Sequence, residues 1–262
     1  MKRGIIMSDT HSGHLVGLTP PGWQVSDTNP MLGKFARYQR ESWNWWTATV
    51  AKLPPLDFIV MNGDAVEGSG RRSGGTELIS SDWNAQKDMA IGCIQVPKRK
   101  LKRGGKIVMT YGTAYHVGDD ADYELDIANV IGAKIGSHEW LTVEGVTFDL
   151  KHHIGSSSVP HGRNTSQERD RVWSDIWADL GRTPKSQVII RSHVHYHKYS
   201  GDARTLMMTT PALQGYGTKY GARRCSGVVD IGFVYFECHK GTYSWRSFIL
   251  EPSSLKATSI KL

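Results

Sequence analysis

Cysteine is scarce: the 262 residues hold three, Cys93, Cys225 and Cys238. An odd, widely spaced set argues against a disulfide framework and points to a reducing cytoplasm. No eighteen consecutive apolar residues occur, which excludes a membrane-spanning helix and makes a membrane partner unexpected. The opening MKRGIIMSDTH carries too short an apolar run for a secretion signal. Internal repeats, low-complexity tracts and an interdomain linker are also missing, so a single domain over residues 1–262 is expected. Acidic residues are outnumbered, 25 against 32 Lys and Arg, leaving a formal charge of +7. That excess favours anionic partners such as phosphoesters or nucleic acid.

What is present is a core-forming composition, with 39% apolar and 22% charged residues, which excludes disorder. Nine tryptophans suit a bulky core or a stacking surface. Short Val/Ile/Met runs at residues 3–8, 57–62, 106–111 and 187–191 read as strands covered on both faces. Between them lie helical stretches. Residues 34–53 stop at Pro54-Pro55, and residues 82–103 contain Pro97, which should kink or divide them. Residues 121–131 end at Gly132, a left-handed cap. Residues 166–180 carry Val172, Ile176 and Leu180 every four residues, with a capping box from Thr165 and Glu168. Hairpins are expected over residues 141–152 and 228–250. The sum is an α/β core with two packed sheets flanked by helices.

The polar residues cluster where strands end. Asp9-Thr10-His11 follows the first strand, and Gly63-Asp64-Ala65-Val66-Glu67 the second. Gly112-Thr113-Ala114-Tyr115-His116 follows the third, Lys151-His152-His153 closes a hairpin strand, and His193-Val194-His195 follows the last. Strand ends in α/β sheets face one crevice, so residues distant in sequence can converge there. Asp and neutral imidazole without nearby cysteine suit divalent first-row metals, not a structural thiolate zinc site. Two carboxylates and four imidazoles around two divalent ions leave net positive charge, which binds a phosphoryl group and acidifies water.

In this order, Asp-x-His, Gly-Asp-x-x-Glu, Gly-Thr-x-x-His, His and Ser-His-x-His, the motifs over residues 9–195 resemble the calcineurin-like metallophosphoesterase superfamily. The resemblance implies a four-layer α/β/β/α sandwich of two mixed sheets and a dinuclear site between them. It implies two divalent metal ions, from among Mn, Fe, Zn, Ni or Mg. Asp9, His11 and His195 would hold the first, His152 and His193 the second, and Asp64 would bridge both. Hydroxide between the metals would attack phosphorus, with His116 protonating the leaving oxygen. The substrate class implied is a phosphoester, a nucleotide or nucleic acid among them. A non-catalytic scaffold retaining the fold is the alternative.

Three positions depart from the superfamily pattern. Thr113 stands where an Asn ligand is usual, and His116 comes two residues late, so Asp119 or Asp120 is expected to orient it. Glu67 replaces the usual Asp, with a length suited to a hydrogen bond instead of a metal. The Gly-Thr-x-x-His variant resembles bacteriophage-encoded members, which would place the protein in a host cytoplasm. His153 competes with His152, since adjacent strand residues face opposite ways. Arg71, Arg72, Lys219, Arg223 and Arg224 lie in glycine-bearing loops suited to phosphate contacts. The basic run 98–106 reads either as a solvated helix end or as a nucleic-acid contact.

Overall fold

The computed structural model describes residues 1–28, 32–117, 122–219, 227–257 and 259–260, with the side chains of Arg72 and Val117 excepted. The first sheet runs in the order β11-β10-β1-β2-β3-β4. Its strands are β1 (Lys2–Met7), β2 (Leu56–Asn62), β3 (Leu101–Thr110), β4 (Lys134–Gly136), β10 (Ile231–His239) and β11 (Thr242–Leu250). β1 pairs parallel to β2 and antiparallel to β10, so the sheet is mixed. The second sheet runs β5-β6-β7-β9-β8, from β5 (Glu139–Val143), β6 (Val146–Leu150), β7 (Val188–Arg191), β8 (Lys198–Gly201) and β9 (Leu206–Thr209). It too mixes antiparallel β5–β6 with parallel β6–β7.

Side-chain alternation along each strand builds two apolar layers. On β1, Ile5 and Met7 point to a core shared with Trp46 and Val50 of α1 (Gly33–Lys52), Ile94 of α2 (Trp83–Lys98) and, after the single-turn α3 (Ala114–Val117), Ile127 of α4 (Tyr123–Ile131). Ile6 points the other way, into a core with Phe58, Phe148, Ile190 and Phe236 between the sheets. Beyond the second sheet a small cluster of Ile154, Ile189 and Met207 lies on the side covered by α5 (Arg163–Asp179). The result is two mixed sheets face to face, flanked by helices, as the resemblance implied.

Local details differ from the sequence expectation at three places. Pro97 does not divide a long helix; it sits in the last turn of α2, which ends at Lys98. Leu101 then already pairs with Leu56 in the sheet, so residues 101–103 are strand. The capping box at Thr165 is absent, because a 3-10 turn at Pro160–Gly162 feeds the helix directly and α5 begins at Arg163. Glu168 instead pairs with Arg171 at 2.9 Å. In the basic run, Lys98 donates to the Ile131 carbonyl and Lys100 to that of Ala51, at the C-terminal ends of α4 and α1. Lys102 pairs with Asp57 at 3.0 Å. These lysines serve helix ends and an ion pair, as dipole complementarity favours. No described helix is long and apolar enough to cross a membrane.

Candidate metal centre

Every motif lies in the loop at a strand's C-terminal end, and the backbone there is unusual. Asp9, His11, Asp64, His193 and His195 all have positive φ, between 41° and 70°. For residues with a Cβ this left-handed conformation costs about 1–3 kcal/mol each and persists only where the surroundings over-determine it. Here the loops brace one another: the amides of Asp9, His11 and Ser12 donate to the carbonyls of Gly63, Asp64 and Ala65. Thr10 Oγ1 adds a bond to the Ala65 carbonyl at 2.7 Å. Two glycines are required by close approach. A Cβ at Gly63 would fall 2.5 Å from His152 Nδ1, and one at Gly112 would collide with the Asp64 carboxylate.

The loops bring ligand atoms of Asp9, His11 and His195 within 4.8 Å of one another, and likewise those of Asp64, His152 and His193. The triads adjoin: His11 Nε2 is 3.8 Å from Asp64 Oδ2, and His152 Nε2 is 4.0 Å from Asp9 Oδ1. Both Asp9 oxygens and His152 Nε2 are buried without a hydrogen-bond partner. His195 Nε2 lies 3.3 Å from Asp9 Oδ1, and His152 Nε2 lies 2.9 Å from Asp64 Oδ2, yet neither contact has hydrogen-bond alignment. Buried polar groups left in this way are costly. Ligand atoms clustered within 4.8 Å, several of them buried without a partner, fit a divalent cation.

The electrostatics agree. Burial raises the Asp9 carboxyl pKa, but the imidazoles of His195 and His152 outweigh it and hold the group at about 2. Asp64, against the same burial, is held well below the carboxylate range by His152, His193 and His11. Burial lowers His152, but Asp64 and Asp9 push it up to about 10. Two anionic carboxylates whose field holds a proton this firmly on His152 attract a cation in its place, with release of that proton.

The supporting side chains orient the ligands. Glu67 Oε2 is 2.9 Å from His11 Nδ1, which turns Nε2 inward. His152 Nδ1 donates to the Asn62 carbonyl at 2.7 Å. Thr113 donates its amide to Asp64 Oδ1 at 2.6 Å, and its hydroxyl lies 3.2 Å from both Asp64 Oδ2 and His193 Nδ1. His116 Nδ1 donates to the Glu67 carbonyl at 2.7 Å. Asp119 and Asp120, proposed to orient it, lie outside the described residues. β6 ends at Leu150, so strand alternation does not govern the pair after it. His152 is 1% exposed and enters the centre, whereas His153 is exposed and only flanks His193 at 4.8 Å between rings.

Beside the centre opens a cavity of about 600 Å³, lined by His11, His14, Glu67, Glu77, His116 and His195 with Val16, Tyr115, Tyr216 and Val228. Arg71 is exposed in the 3-10 turn Arg71–Ser73, whose Ser73 lines this cavity; the Arg72 side chain lies outside what the structure describes. Lys219 is exposed, and Arg223 and Arg224 lie outside the described residues.

Sequence reasoning missed two features. Glu124 of α4 is fully buried and accepts from the amides of Ala65 and Gly112 at 2.9 and 2.6 Å, clamping two ligand loops together. Its only signal was a carboxylate inside an apolar helix. His14 is 7% exposed and faces Glu77 at 3.4 Å in the cavity wall.

No protein-family profile and no curated protein matches the chain. Solved structures do resemble it. An archaeal phosphodiesterase aligns over 95% of this chain and 99% of its own at 15% identity, with a TM-score of 0.47. Vps29 from Chaetomium thermophilum aligns over 95% and 97% at 7% identity, with a TM-score of 0.48. The Zn²⁺ complex of Vps29 from Entamoeba histolytica aligns over 94% and 98% at 7% identity, with a TM-score of 0.45.

Proposed function

We propose that this protein is a dinuclear-metal phosphoesterase of the calcineurin-like kind. The carrying observation is the buried, unpartnered set of Asp9 and His152 atoms inside two adjoining Asp/His triads. Asp9, His11 and His195 would hold one divalent cation, and Asp64, His152 and His193 a second. Such a pair supplies Lewis acidity for a phosphoryl oxygen and a water acidified enough to act as nucleophile near neutral pH.

The chain's own groups do the rest. Glu67 keeps the His11 ring in one tautomer, and Thr113 holds the Asp64 carboxylate in place through its amide and hydroxyl. His116 has one ring nitrogen committed to the Glu67 carbonyl, which leaves the other for a leaving oxygen. Its ring packs edge-on to His11 at 4.7 Å between centroids, so the proton is delivered beside the first triad.

The cavity favours a compact, nucleotide-sized ester over a polymer. Its wall sets aromatic and aliphatic surface beside the histidines of the centre, around a volume of about 600 Å³ that suits one small ligand. The test is metal analysis of the purified protein with turnover of nitrophenyl monoesters and diesters, cyclic nucleotides and single-stranded DNA at low and high salt. Bound metal, with turnover of a small ester that changes little with salt, is the expected result. A steep fall with salt and preference for DNA would replace the compact substrate with a nucleic acid. Asp64→Asn should abolish turnover and reduce metal content. Full activity of metal-free protein would sink the reading, and bound metal without turnover of any ester would favour the scaffold alternative.

A further inference from the structure

A second cavity, of about 540 Å³, opens between α5 and the second sheet. Its lining shares no residue with the cavity beside the metal centre. α5 faces it with Asp170, Trp173, Ser174 and Trp177, one stripe at helical spacing. Asp149 of β6 and Arg191 of β7 stand opposite, with Lys151 and Arg182 also in the wall. A volume of this size suits one small ligand.

Part of the wall is committed to the fold. Arg191 is 2% exposed; its Nε donates to Asp170 Oδ2 at 2.6 Å and its Nη1 to Asp149 Oδ1 at 2.7 Å. His138 and Ser174 complete the shell of Asp149. The rest is open. Among the described residues, Arg182 is exposed and forms no ion pair. Lys151 Nζ reaches only Asp170, at 3.6 Å, too far for a hydrogen bond. Asp170 Oδ1 accepts no hydrogen bond from a described residue, and the Thr183 hydroxyl, in the same wall, makes none. Trp173 is 55% exposed and Trp177 48%, and neither ring contacts another described aromatic ring. Three permanent cations, Lys151, Arg182 and Arg191, face two carboxylates, so the wall carries an excess of positive charge that favours an anion.

We propose that this cavity is a binding site for a mononucleotide. The open groups are spread along α5 in an order that a nucleotide matches. At a rise of 1.5 Å per residue, Asp170 lies roughly 10 Å along the axis from Trp177. Arg182 lies beyond the far end, its amide bonded to the Trp177 carbonyl at 3.0 Å. An uncommitted carboxylate oxygen thus stands at one end, an unpaired guanidinium at the other, and two indole faces between. A flat base stacks on indole, its amino edge donates to Asp170 Oδ1, and its phosphate meets Arg182. Inorganic phosphate satisfies only the Arg182 end, and a neutral nucleoside leaves that end unmet. The inference is independent of the proposed activity.

The experiment is calorimetric titration of the full chain with AMP, with and without EDTA, so that binding at the metal centre is told apart. In EDTA, one AMP per chain is expected, with a dissociation constant of about 100 μM or below. Adenosine and inorganic phosphate should each bind about tenfold more weakly or worse. Trp177→Ala and Arg182→Glu should each weaken AMP about tenfold or more without changing bound metal. Should the Trp177→Ala chain not fold, Arg182→Glu, at an exposed position, decides alone. No binding of AMP in EDTA would overturn the proposal. So would affinity no better than that of phosphate or adenosine, affinity indifferent to Arg182→Glu, or a single-stranded oligonucleotide held far more tightly than AMP.

Discussion

Glu124 shows how much of the centre depends on a residue outside it. Burial and the nearby Asp64 charge push its carboxyl up to about 7, against two backbone amides that favour the anion. Removing it leaves two buried N–H groups without acceptors, each costing about 1–3 kcal/mol. Glu124→Ala should therefore lower stability by about 2–4 kcal/mol in urea titration and also reduce bound metal, although its carboxylate belongs to neither triad. A variant that keeps full metal occupancy would show that the loops hold without the clamp. His116 predicts the opposite pattern. As a proton donor, its replacement by Ala should leave metal content intact and slow poor leaving groups about a hundredfold. An activated nitrophenyl ester needs little protonation and should lose much less; equal losses for both substrates would remove His116 from the acid role.

At the scale of elements, the second sheet is tied to α5 by charge more than by apolar packing. Arg191, 2% exposed, donates to Asp149 at 2.7 Å and to Asp170 at 2.6 Å, and His138 meets Asp149 at 2.7 Å. Burial raises the Asp149 pKa, but His138 and Arg191 more than offset it and hold the group well below the carboxylate range. A carboxylate with a depressed folded-state pKa contributes stability that is present above its unfolded value of about 4 and lost as pH falls below it. Asp149→Asn should cost about 3–5 kcal/mol at pH 7, because it leaves a buried guanidinium short of charge. The difference from the parent should shrink as pH falls below about 4. Urea unfolding at neutral and acid pH measures both; a gap that stays constant with pH would show that packing, not charge, carries the effect.

For the molecule as a whole, the six candidate ligands come from loops after β1, β2, β6 and β7, which belong to both sheets. Cations that bind only when these loops are assembled stabilise the folded chain by RT ln(1 + [L]/Kd), about 3–4 kcal/mol at a hundred to a thousand times Kd. Chelation should lower the melting temperature by several degrees, and restored Mn²⁺ or Zn²⁺ should recover it. Because His152 must lose a proton to become a ligand, metal affinity should rise with pH. A melting temperature indifferent to chelator, in protein shown by metal analysis to have been loaded, would separate the centre from the fold.

The sequence by itself determined the strands that precede the candidate ligands and the residue types found there, but not the short strands β4, β8 and β9. Continuous apolar runs ending in Gly, Asp and His are local patterns, and metal chemistry depends on side-chain type before it depends on position. Tertiary structure decided what is set by distant contacts. Which imidazole of the pair after Leu150 turns inward follows from the approach of Gly63 and Asn62, and the role of Glu124 follows from α4 lying under two loops that are remote in sequence. The same holds for α5. Its four-residue apolar spacing announces a helix with one greasy face, but periodicity carries no information about which way that face points. The buried guanidinium of Arg191 claims the polar side through Asp170, and so leaves Trp173 and Trp177 half-exposed in the wall of a cavity they share with Asp170 and Arg191.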